Sequence, residues 1–417
     1  MMDAKQLYNE RMKRIDDAMA LKEPDRVPII PFPGTYVYTH YGYSMSEVMY
    51  DVNKAREGLR KYVQEYEPDM ATNYSSFFAG QGDMLEKMGI NWLQWAGRPG
   101  VNIDRNSIHQ YIEKPYLGDE EYPELLTDAS GWILNKYLPR SFKIMEPLAK
   151  INFKNTLSWQ ASAGMIQFID PSIAEAFKTM GEVGSMAAEY FKGAGAFDRE
   201  MAEMGFPVLR AASTGCAFDQ LSDTLRGTID TMADLYDQPE NVKSAIEMFY
   251  PSTLNSALAQ AKNSVGKFVF IPLHKGLDGF MSPKQYGEFY WPTLKRLIDD
   301  LIKAGCTPWV YTEGKYDSRL EFLKEIEDGK VLVHFEDVDM KEAKKIVGPH
   351  SCISGGFRSR LLEVGTKEQV VESVKRLLDI CAPGGGYIFD LSDTLDAAAK
   401  PENVEAMFDT VKTYGKY

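Results

Sequence analysis

The 417-residue sequence has few cysteines and a shortage of basic residues. It contains only 4 cysteines, and 47 Lys and Arg stand against 60 Asp and Glu, so the net charge is −13. This acidic balance argues against nucleic acid or an anionic membrane as a partner, because both require a basic protein surface. Without a Cys-x-x-Cys pair, the thiols are expected to be reduced core residues and not disulfides or metal ligands. They are Cys216, Cys306, Cys352 and Cys381.

Long hydrophobic runs and short catalytic signatures are also missing. No apolar run approaches the roughly 18 residues of a membrane span, and the charged, helix-patterned amino terminus is unlike a signal peptide. We therefore expect a soluble, cytoplasmic protein. No His-Glu-x-x-His, Gly-x-Ser-x-Gly or Walker A sequence occurs. The glycines at 355–356 and 384–386 lack the context of a dinucleotide site, which predicts tight turns.

Short apolar runs alternate with amphipathic helical segments along the chain. Strands are predicted at 26–31, 70–74, 206–212, 268–273, 307–312, 331–335, 351–354 and 384–390. Eight strands, each followed by helix, predict an α/β protein with a (β/α)8 TIM barrel and not a doubly wound sheet. About 130 residues separate the second and third strands. This length exceeds any simple crossover, so we expect a single barrel domain over 1–417 with a helical or irregular cap insertion over 80–205.

Three consecutive predicted strands end in residues able to bind a metal. Strand 268–273 reaches His274, strand 307–312 reaches Glu313, and strand 331–335 contains His334. Because active sites of (β/α)8 barrels lie at the C-terminal ends of the strands, the three side chains are expected to face one another. One carboxylate and two imidazoles suit zinc with an open fourth position. An isolated histidine near a strand end is more often an ordinary hydrogen-bonded residue, so both interpretations stay open.

Other polar residues follow the predicted strands. Asp390 and Asp393, after the eighth strand, could supply a metal ligand or a general base, or they could form a polar turn. Lys275 and Arg358 could bind a substrate carboxylate, although exposed salt bridges are the commoner explanation.

Aromatic residues surround the ends of the first two predicted strands. Phe32 and Tyr36 follow the first strand, and Phe77 follows the second. We interpret them as the lining of a flat substrate pocket, with ordinary packing as the alternative.

Landmarks along nearly the whole chain resemble those of the uroporphyrinogen decarboxylase superfamily, and within it the corrinoid-dependent methyltransferases. They are Asp25-Arg-Val-Pro, Asp237-Gln-Pro-Glu-Asn-Val, Ile353-Ser-Gly-Gly with Leu361-Leu and Gly365-Thr, Gly385-Gly-Tyr-Ile and Pro401-Glu-Asn-Val. The resemblance implies a (β/α)8 barrel but does not by itself select one reaction.

Departures from the superfamily pattern narrow the function. Uroporphyrinogen decarboxylases hold porphyrin carboxylates with an arginine-rich segment after the first strand, whereas residues 31–38 contain no arginine. Methyltransferases that act on thiols bind zinc through His-x-Cys and a further cysteine, whereas Tyr311, Glu313 and Asp393 stand at those places. Methyltransferases for aromatic methyl ethers are similar to this chain, because their zinc uses glutamate and histidine. Glu313 and His334, with 20 residues between them, match this pair of ligand types.

The resemblance therefore implies a zinc-dependent methyltransferase of the O-demethylase type. Zinc would polarise the ether oxygen of a small aromatic methyl donor while a Co(I) corrinoid attacks the methyl carbon. Since the chain has no corrinoid-binding motif, the corrinoid is expected on a separate protein that docks at the barrel mouth. A homodimer stays open as a further assembly.

Two other functions stay open. One is a metal-free decarboxylase of a small carboxylic acid, with Asp390 or Tyr311 as proton donor and Arg358 binding the acid. The other is a non-catalytic barrel that binds a small molecule. Metal analysis separates the first alternative from the methyltransferase.

Overall fold

The computed structural model describes residues 3–157 and 159–417 and is built on two sheets. Strands β1 (Leu93–Gln94) and β2 (Gln110–Tyr111) form an antiparallel hairpin. The central sheet is parallel, and its six strands lie in chain order. They are β3 (Val208–Ser213), β4 (Gly266–Leu273), β5 (Thr307–Lys315), β6 (Leu332–Asp337), β7 (Cys352–Gly355) and β8 (Tyr387–Ile388).

Two N-terminal segments close the central sheet into a barrel. Ile29 forms a parallel bridge with the residue after β8, and Ala71 forms one with the first residue of β3. The Asp69 N–H donates to the Ile29 carbonyl at 2.9 Å, which joins the two segments to each other. The (β/α)8 barrel is thus confirmed. The first predicted strand is reduced to a bridge because Pro28 and Pro31 have no N–H to donate to a ladder.

Helices surround the barrel. The longer ones are α1 (Ala4–Met19), α2 (Val52–Tyr66), α3 (Pro171–Glu203), α4 (Thr228–Asp237), α5 (Pro239–Ala261), α6 (Trp291–Lys303), α7 (Lys367–Cys381) and α8 (Pro401–Tyr414). Shorter α-helices span Tyr36–Thr39, Met45–Val48, Gly82–Met88, Tyr122–Thr127, Ala129–Trp132, Leu138–Ser141, Ala161–Gly164, Ala217–Leu221, Pro283–Gln285, Leu320–Leu323, Met340–Ile346 and Arg360–Val364. Among the described residues, no helix combines the length and apolar content needed to cross a bilayer.

Short 3-10 and π turns complete the helical structure. The 3-10 turns span Ser76–Phe78, Asp119–Glu121, Lys143–Lys150, Phe153–Thr156, Met165–Ile169 and Asp317–Arg319. The π turns span Ile133–Tyr137, Ser222–Arg226 and Tyr286–Tyr290.

Several helix starts follow directly from the sequence. Ser282 and Thr366 each cap a helix through a capping box, as their spacing to a glutamine predicts. Met45–Val48 and Val52–Tyr66 form two separate helices, because Ser44 and Asp51 each accept a backbone N–H as an N-cap.

The chain between the second and third barrel segments forms the hairpin, five of the shorter α-helices and α3. It contains a small apolar core of its own, made of Met145, Leu148, Ile151, Ile173 and Ala176. The side chain of Asn73 donates to the Ala194 carbonyl at 2.9 Å and to Asp198 at 2.7 Å. These hydrogen bonds tie α3 to the loop that follows the second barrel segment.

Candidate active site

Aromatic rings fill the barrel interior. The Phe32 ring centroid lies 5.8 Å from Phe270, 5.8 Å from Trp309 and 5.6 Å from Tyr311. Trp309 and Tyr311 face the same side because alternate residues of a strand do so. Together the four rings, all buried, form one apolar cluster inside the barrel. We call these four residues the aromatic wall.

Two further aromatic residues adopt an unusual backbone beside this wall. Phe77 and Phe78 have φ angles of 60° and 61°, in the left-handed region that bulky side chains rarely enter. The Phe77 ring lies 5.9 Å from Phe32, and the Phe78 ring lies 4.7 Å from His109. Backbone strain of this kind concentrates at functional sites. The structure therefore brings Phe32 and Phe77 together, and the insertion reaches this end of the barrel through His109.

His274 and Glu313 lie side by side after β4 and within β5. His274 Nε2 is 3.6 Å from Glu313 Oε1. Two ligands of one tetrahedral zinc ion stand roughly 3.3 Å apart, because each metal bond is about 2.0–2.1 Å long. The pair therefore fits two positions of a zinc site, both in donor chemistry and in spacing.

Two aspartates that the sequence analysis missed hold His274 in place. Asp223 Oδ2 accepts from His274 Nδ1 at 2.5 Å, so Nε2 is the ring nitrogen that faces Glu313. Asp219 is buried and accepts from the main-chain N–H groups of His274 and Lys275 at 3.0 Å each. The four-residue spacing of Asp219 and Asp223 on a helical segment was the available signal, since such residues share one face.

These charges shift the pKa values of the site. Burial opposes protonation of His274, but the hydrogen bond to Asp223 and the charges of Asp219 and Glu313 raise its pKa to about 9. Burial, together with Glu336 and Asp223, raises the pKa of Glu313, while His274 opposes this rise. Burial and the nearby Asp223 raise the pKa of Asp219 to about 6. The metal-free site therefore holds a protonated imidazole among carboxylates, and a metal ion would displace its proton.

His334 lies deeper in the barrel with both ring nitrogens engaged. Nε2 donates to the Ser392 carbonyl at 3.1 Å, and Nδ1 lies 3.3 Å from Ser354 Oγ and 3.2 Å from Asp390 Oδ2. The ring stacks on Tyr311 at a centroid distance of 3.9 Å. His334 and Asp390 are both fully buried. The structure thus groups the predicted catalytic Tyr311 and Asp390 around His334.

The predicted zinc site is divided between these two places. Across residues 3–157 and 159–417, no three His, Cys, Asp or Glu side chains are arranged so that they could hold a metal ion. His274 and Glu313 are spaced as two zinc ligands would be. The Nε2 N–H of His334 instead donates to the Ser392 carbonyl. A zinc site that combines all three residues stays a prediction.

The remaining predicted residues lie in different environments. Lys275 forms ion pairs with Asp223 at 3.1 Å and Glu113 at 3.3 Å. Arg358 and Asp393 are exposed, and the Asp393 carbonyl lies 3.4 Å from the Tyr311 hydroxyl.

Tyr36 is separated from the aromatic wall. Its ring stacks on His40 at 4.9 Å, and its hydroxyl lies 2.8 Å from the Tyr66 hydroxyl. Tyr36 sits on a short helix that follows Phe32, and it packs with α2 in the outer layer. This packing differs from the predicted position in a pocket with Phe32 and Phe77.

A cavity of about 500 Å³ opens beside His274. Hydroxyl side chains line it, from Ser213 and Thr214 at the end of β3 and from Ser252 and Ser256 on α5. A volume of this size accommodates a small organic molecule.

Comparisons with known proteins agree with this architecture. A family model described as uroporphyrinogen decarboxylase (URO-D) matches residues 194–414. Uroporphyrinogen decarboxylase of Anaeromyxobacter dehalogenans is 28% identical over 137 residues, which are 33% of this chain and 38% of that protein. Its counterpart in Geobacter metallireducens is 29% identical over 133 residues, 32% of this chain and 38% of that protein. The matched stretch thus spans well under half the length of these relatives.

A methyltransferase from Methanosarcina mazei has a similar solved structure. It superimposes with a TM-score of 0.62 and 13% sequence identity, and the match covers 97% of this chain and 98% of that one. At such low identity the likeness concerns the fold alone. The family model, by contrast, matches more than half of the 417 residues, and the chain therefore belongs to the uroporphyrinogen decarboxylase (URO-D) family.

Proposed function

We propose that the protein is a zinc-dependent methyltransferase. It takes a methyl group from an aromatic methyl ether and passes it to the Co(I) corrinoid of a separate protein in the cytoplasm. The C–O bond breaks, a bond from carbon to cobalt forms, and the phenolate that leaves takes up a proton from solvent.

The observation that carries this proposal is the arrangement of Asp223, His274 and Glu313. The carboxylate on Nδ1 fixes the tautomer that leaves Nε2 open toward Glu313 Oε1, 3.6 Å away. A carboxylate and an oriented imidazole would provide two of the three protein ligands that a catalytic zinc site usually has. His274 and Glu313 would hold the zinc, and His334 remains the proposed third ligand.

The interior of the barrel suits the aromatic donor. Phe32, Trp309 and Tyr311 present a ring-lined surface, and Glu313 follows Tyr311 by two residues on the same face of β5. A donor ring held against the aromatic wall would therefore direct a substituent toward Glu313. Positioning of this kind replaces a bimolecular encounter and lowers the barrier.

Bound zinc supplies Lewis-acid polarisation of the ether oxygen, which is worth several kcal/mol because a phenolate leaves poorly without it. The docking corrinoid protein supplies the methyl acceptor. The fold shared with a methyltransferase from Methanosarcina mazei is consistent with this assignment.

The test uses the zinc-loaded full chain under anaerobic conditions. It is mixed with a Co(I) corrinoid protein and a panel of methoxyarenes, and the Co(I) spectrum is followed as methyl-Co(III) and phenol form in equal amounts. The Glu313→Gln variant should lower the rate of methyl transfer about a hundredfold, because a neutral amide binds zinc more weakly than a carboxylate does.

Glu321→Gln serves as the matched control, since Glu321 is an exposed glutamate on the short helix after β5. Its rate should equal that of the wild type. The absence of methylated corrinoid with every donor would contradict the proposal.

Decarboxylation of a small acid is a second candidate. The matched relatives are named uroporphyrinogen decarboxylases, and the buried His334 and Asp390 beside Tyr311 could hold a proton for a carbanion. Release of CO2 from aromatic acids by metal-free protein would support this function, whereas methyl transfer would not occur.

A further inference from the structure

Arg210 on β3 extends to the aromatic wall. Its guanidinium carbon lies 5.7 Å from the Phe270 ring centroid, and Nη2 donates to Ser76 Oγ at 2.7 Å. The Phe270 ring in turn lies 5.8 Å from Phe32 and 5.3 Å from Tyr311. A positive charge therefore borders the aromatic wall.

This guanidinium has no ion-pair partner. Within the described ranges 3–157 and 159–417, no carboxylate oxygen lies within 4.0 Å of an Arg210 nitrogen. Asp198 attracts Arg210 from farther away, but its own Oδ1 accepts from the Asn73 side chain at 2.7 Å. Burial lowers the pKa of Arg210, since desolvation disfavours the charged form. Arg210 is half-buried, and its remaining nitrogens are not among the buried polar atoms without a partner, so they are open to a ligand.

A bound carboxylate would supply the counter-ion that this guanidinium lacks. A guanidinium carries five N–H donors, and Ser76 accepts from only one of them. The planar fork of the remaining donors matches the two oxygens of a carboxylate, and hydrogen bonds between such ions are about twice as strong as neutral ones. Because Phe270 lies beside the fork, a carboxylate attached to an aromatic ring could contact both residues at once.

We propose that Arg210 binds a carboxylate on the aromatic ring of the methyl donor and so selects aromatic acids over neutral methoxyarenes. This inference rests on the proposed function, which supplies the aromatic ether. It assigns Arg210 as a specificity-determining residue that the sequence analysis did not identify.

The test measures binding of two matched ligands to the full chain by calorimetry. 4-Methoxybenzoate and 4-methoxybenzamide share the ring and the ether, and only the first carries a charge. The wild type should bind the acid about 10- to 100-fold more tightly than the amide, as expected for hydrogen bonds to a charged group. The Arg210→Met variant should lose this preference and bind the amide as the wild type does.

Two further variants make the result interpretable. Arg210→Lys keeps the charge without the planar fork, so it should retain part of the preference even if Arg210→Met folds poorly. Arg376→Met, an exposed arginine on α7, should behave as the wild type. Equal binding of acid and amide by the wild type, loss of both ligands in Arg210→Met, or binding of neither ligand would each overturn the inference.

Methyl transfer is measured separately, so that the two proposals fail in different ways. An acid that binds through Arg210 but never methylates the corrinoid overturns the proposed function alone. Methyl transfer from the acid that Arg210→Met leaves unchanged overturns the role of Arg210 alone.

Discussion

At the scale of single residues, His274 is held in a defined orientation by two aspartates. Its ring donates to Asp223, and its main-chain N–H donates to Asp219, so both the ring and the strand end are held. A carboxylate on the far nitrogen of a ligating imidazole fixes the ring and raises its basicity. Asp223 therefore influences metal binding through His274.

Removing the Asp223 charge tests this role. We expect the Asp223→Asn variant to bind zinc about 10- to 100-fold more weakly, because the amide holds the imidazole less firmly and does not raise its basicity. Competition with a chelator of known affinity measures the change.

The matched control is Asp328→Asn, because Asp328 Oδ1 accepts from His350 Nδ1 at 2.7 Å in an exposed pair. Its zinc affinity should equal that of the wild type. An unchanged affinity in Asp223→Asn would show that Asp223 does not support a metal ligand.

The same residues show how far sequence reasoning reached. His274 and Glu313 were predicted to meet because both follow parallel strands, and such ends converge. Asp223 was not identified because it reaches His274 from a helical segment and not from a strand end. Arg210 was not identified because it is distinguished only by the lack of a carboxylate partner among the described residues. His334 was grouped with the mouth residues, yet its depth in the barrel depends on the contacts of Ser354 and Ser392.

At the scale of elements, a buried ion network joins α1 to the two N-terminal barrel segments. Asp69 is fully buried and accepts from Arg14 at 2.5 Å and from Arg26 at 2.8 Å and 2.9 Å. It also accepts from the Ile29 N–H at 2.7 Å, at the point where the barrel closes. Asp69 thus accepts the Ile29 N–H in a segment whose prolines prevent a regular ladder.

Loss of the Asp69 carboxylate should therefore destabilise the barrel. We expect Asp69→Ala to lower the free energy of unfolding by about 3–5 kcal/mol, because it removes the buried carboxylate that binds Arg14 and Arg26 and leaves Arg14 with the exposed Asp25 alone. Chemical denaturation monitored by circular dichroism measures the change. The exposed Glu321, which pairs with Lys324, provides the comparison, and Glu321→Ala should cost no more than about 1 kcal/mol. Equal effects of the two variants would contradict a structural role for the network.

The insertion contains a second ion network with a defined pH dependence. Glu121 accepts from Arg140 at 2.6 Å and 2.8 Å and from Lys136 at 3.0 Å. The hydrogen bonds to Arg140 hold the pKa of Glu121 far below its usual range, although burial opposes this shift. A carboxyl with a lowered folded-state pKa contributes stability above its unfolded pKa of about 4.3, and this contribution disappears as the pH falls toward the folded value.

The wild type should therefore be more stable than Glu121→Gln at neutral pH, and this advantage should decrease as the pH falls. We expect the difference in melting temperature to be constant from pH 7 to about 5.5 and to shrink progressively below about 4.5. Thermal melts of both proteins at pH 6 and pH 3.5 measure it. A difference that stays the same at both pH values would show that the Glu121 charge does not stabilise the insertion.

At the scale of the whole molecule, the insertion contacts the end of the barrel at which the candidate active site lies. The insertion brings His109 against Phe78 and Glu113 against Lys275, both at the end where the parallel strands terminate. Glu113 lies between the hairpin and the next short helices, so the excursion covers part of the mouth. The proposed corrinoid protein would approach the part that this segment leaves open.

The α/β alternation, the closed eight-segment barrel, the long insertion and the convergence of His274 with Glu313 could all be predicted from the sequence. They follow from local periodicity, from chain length and from the rule that parallel strand ends converge. Three further facts required the folded structure: His334 lies beside Asp390 below the mouth, Tyr36 packs with α2, and no carboxylate of residues 3–157 and 159–417 pairs with Arg210. Such facts depend on which distant side chains meet in three dimensions, and no spacing along the chain encodes them.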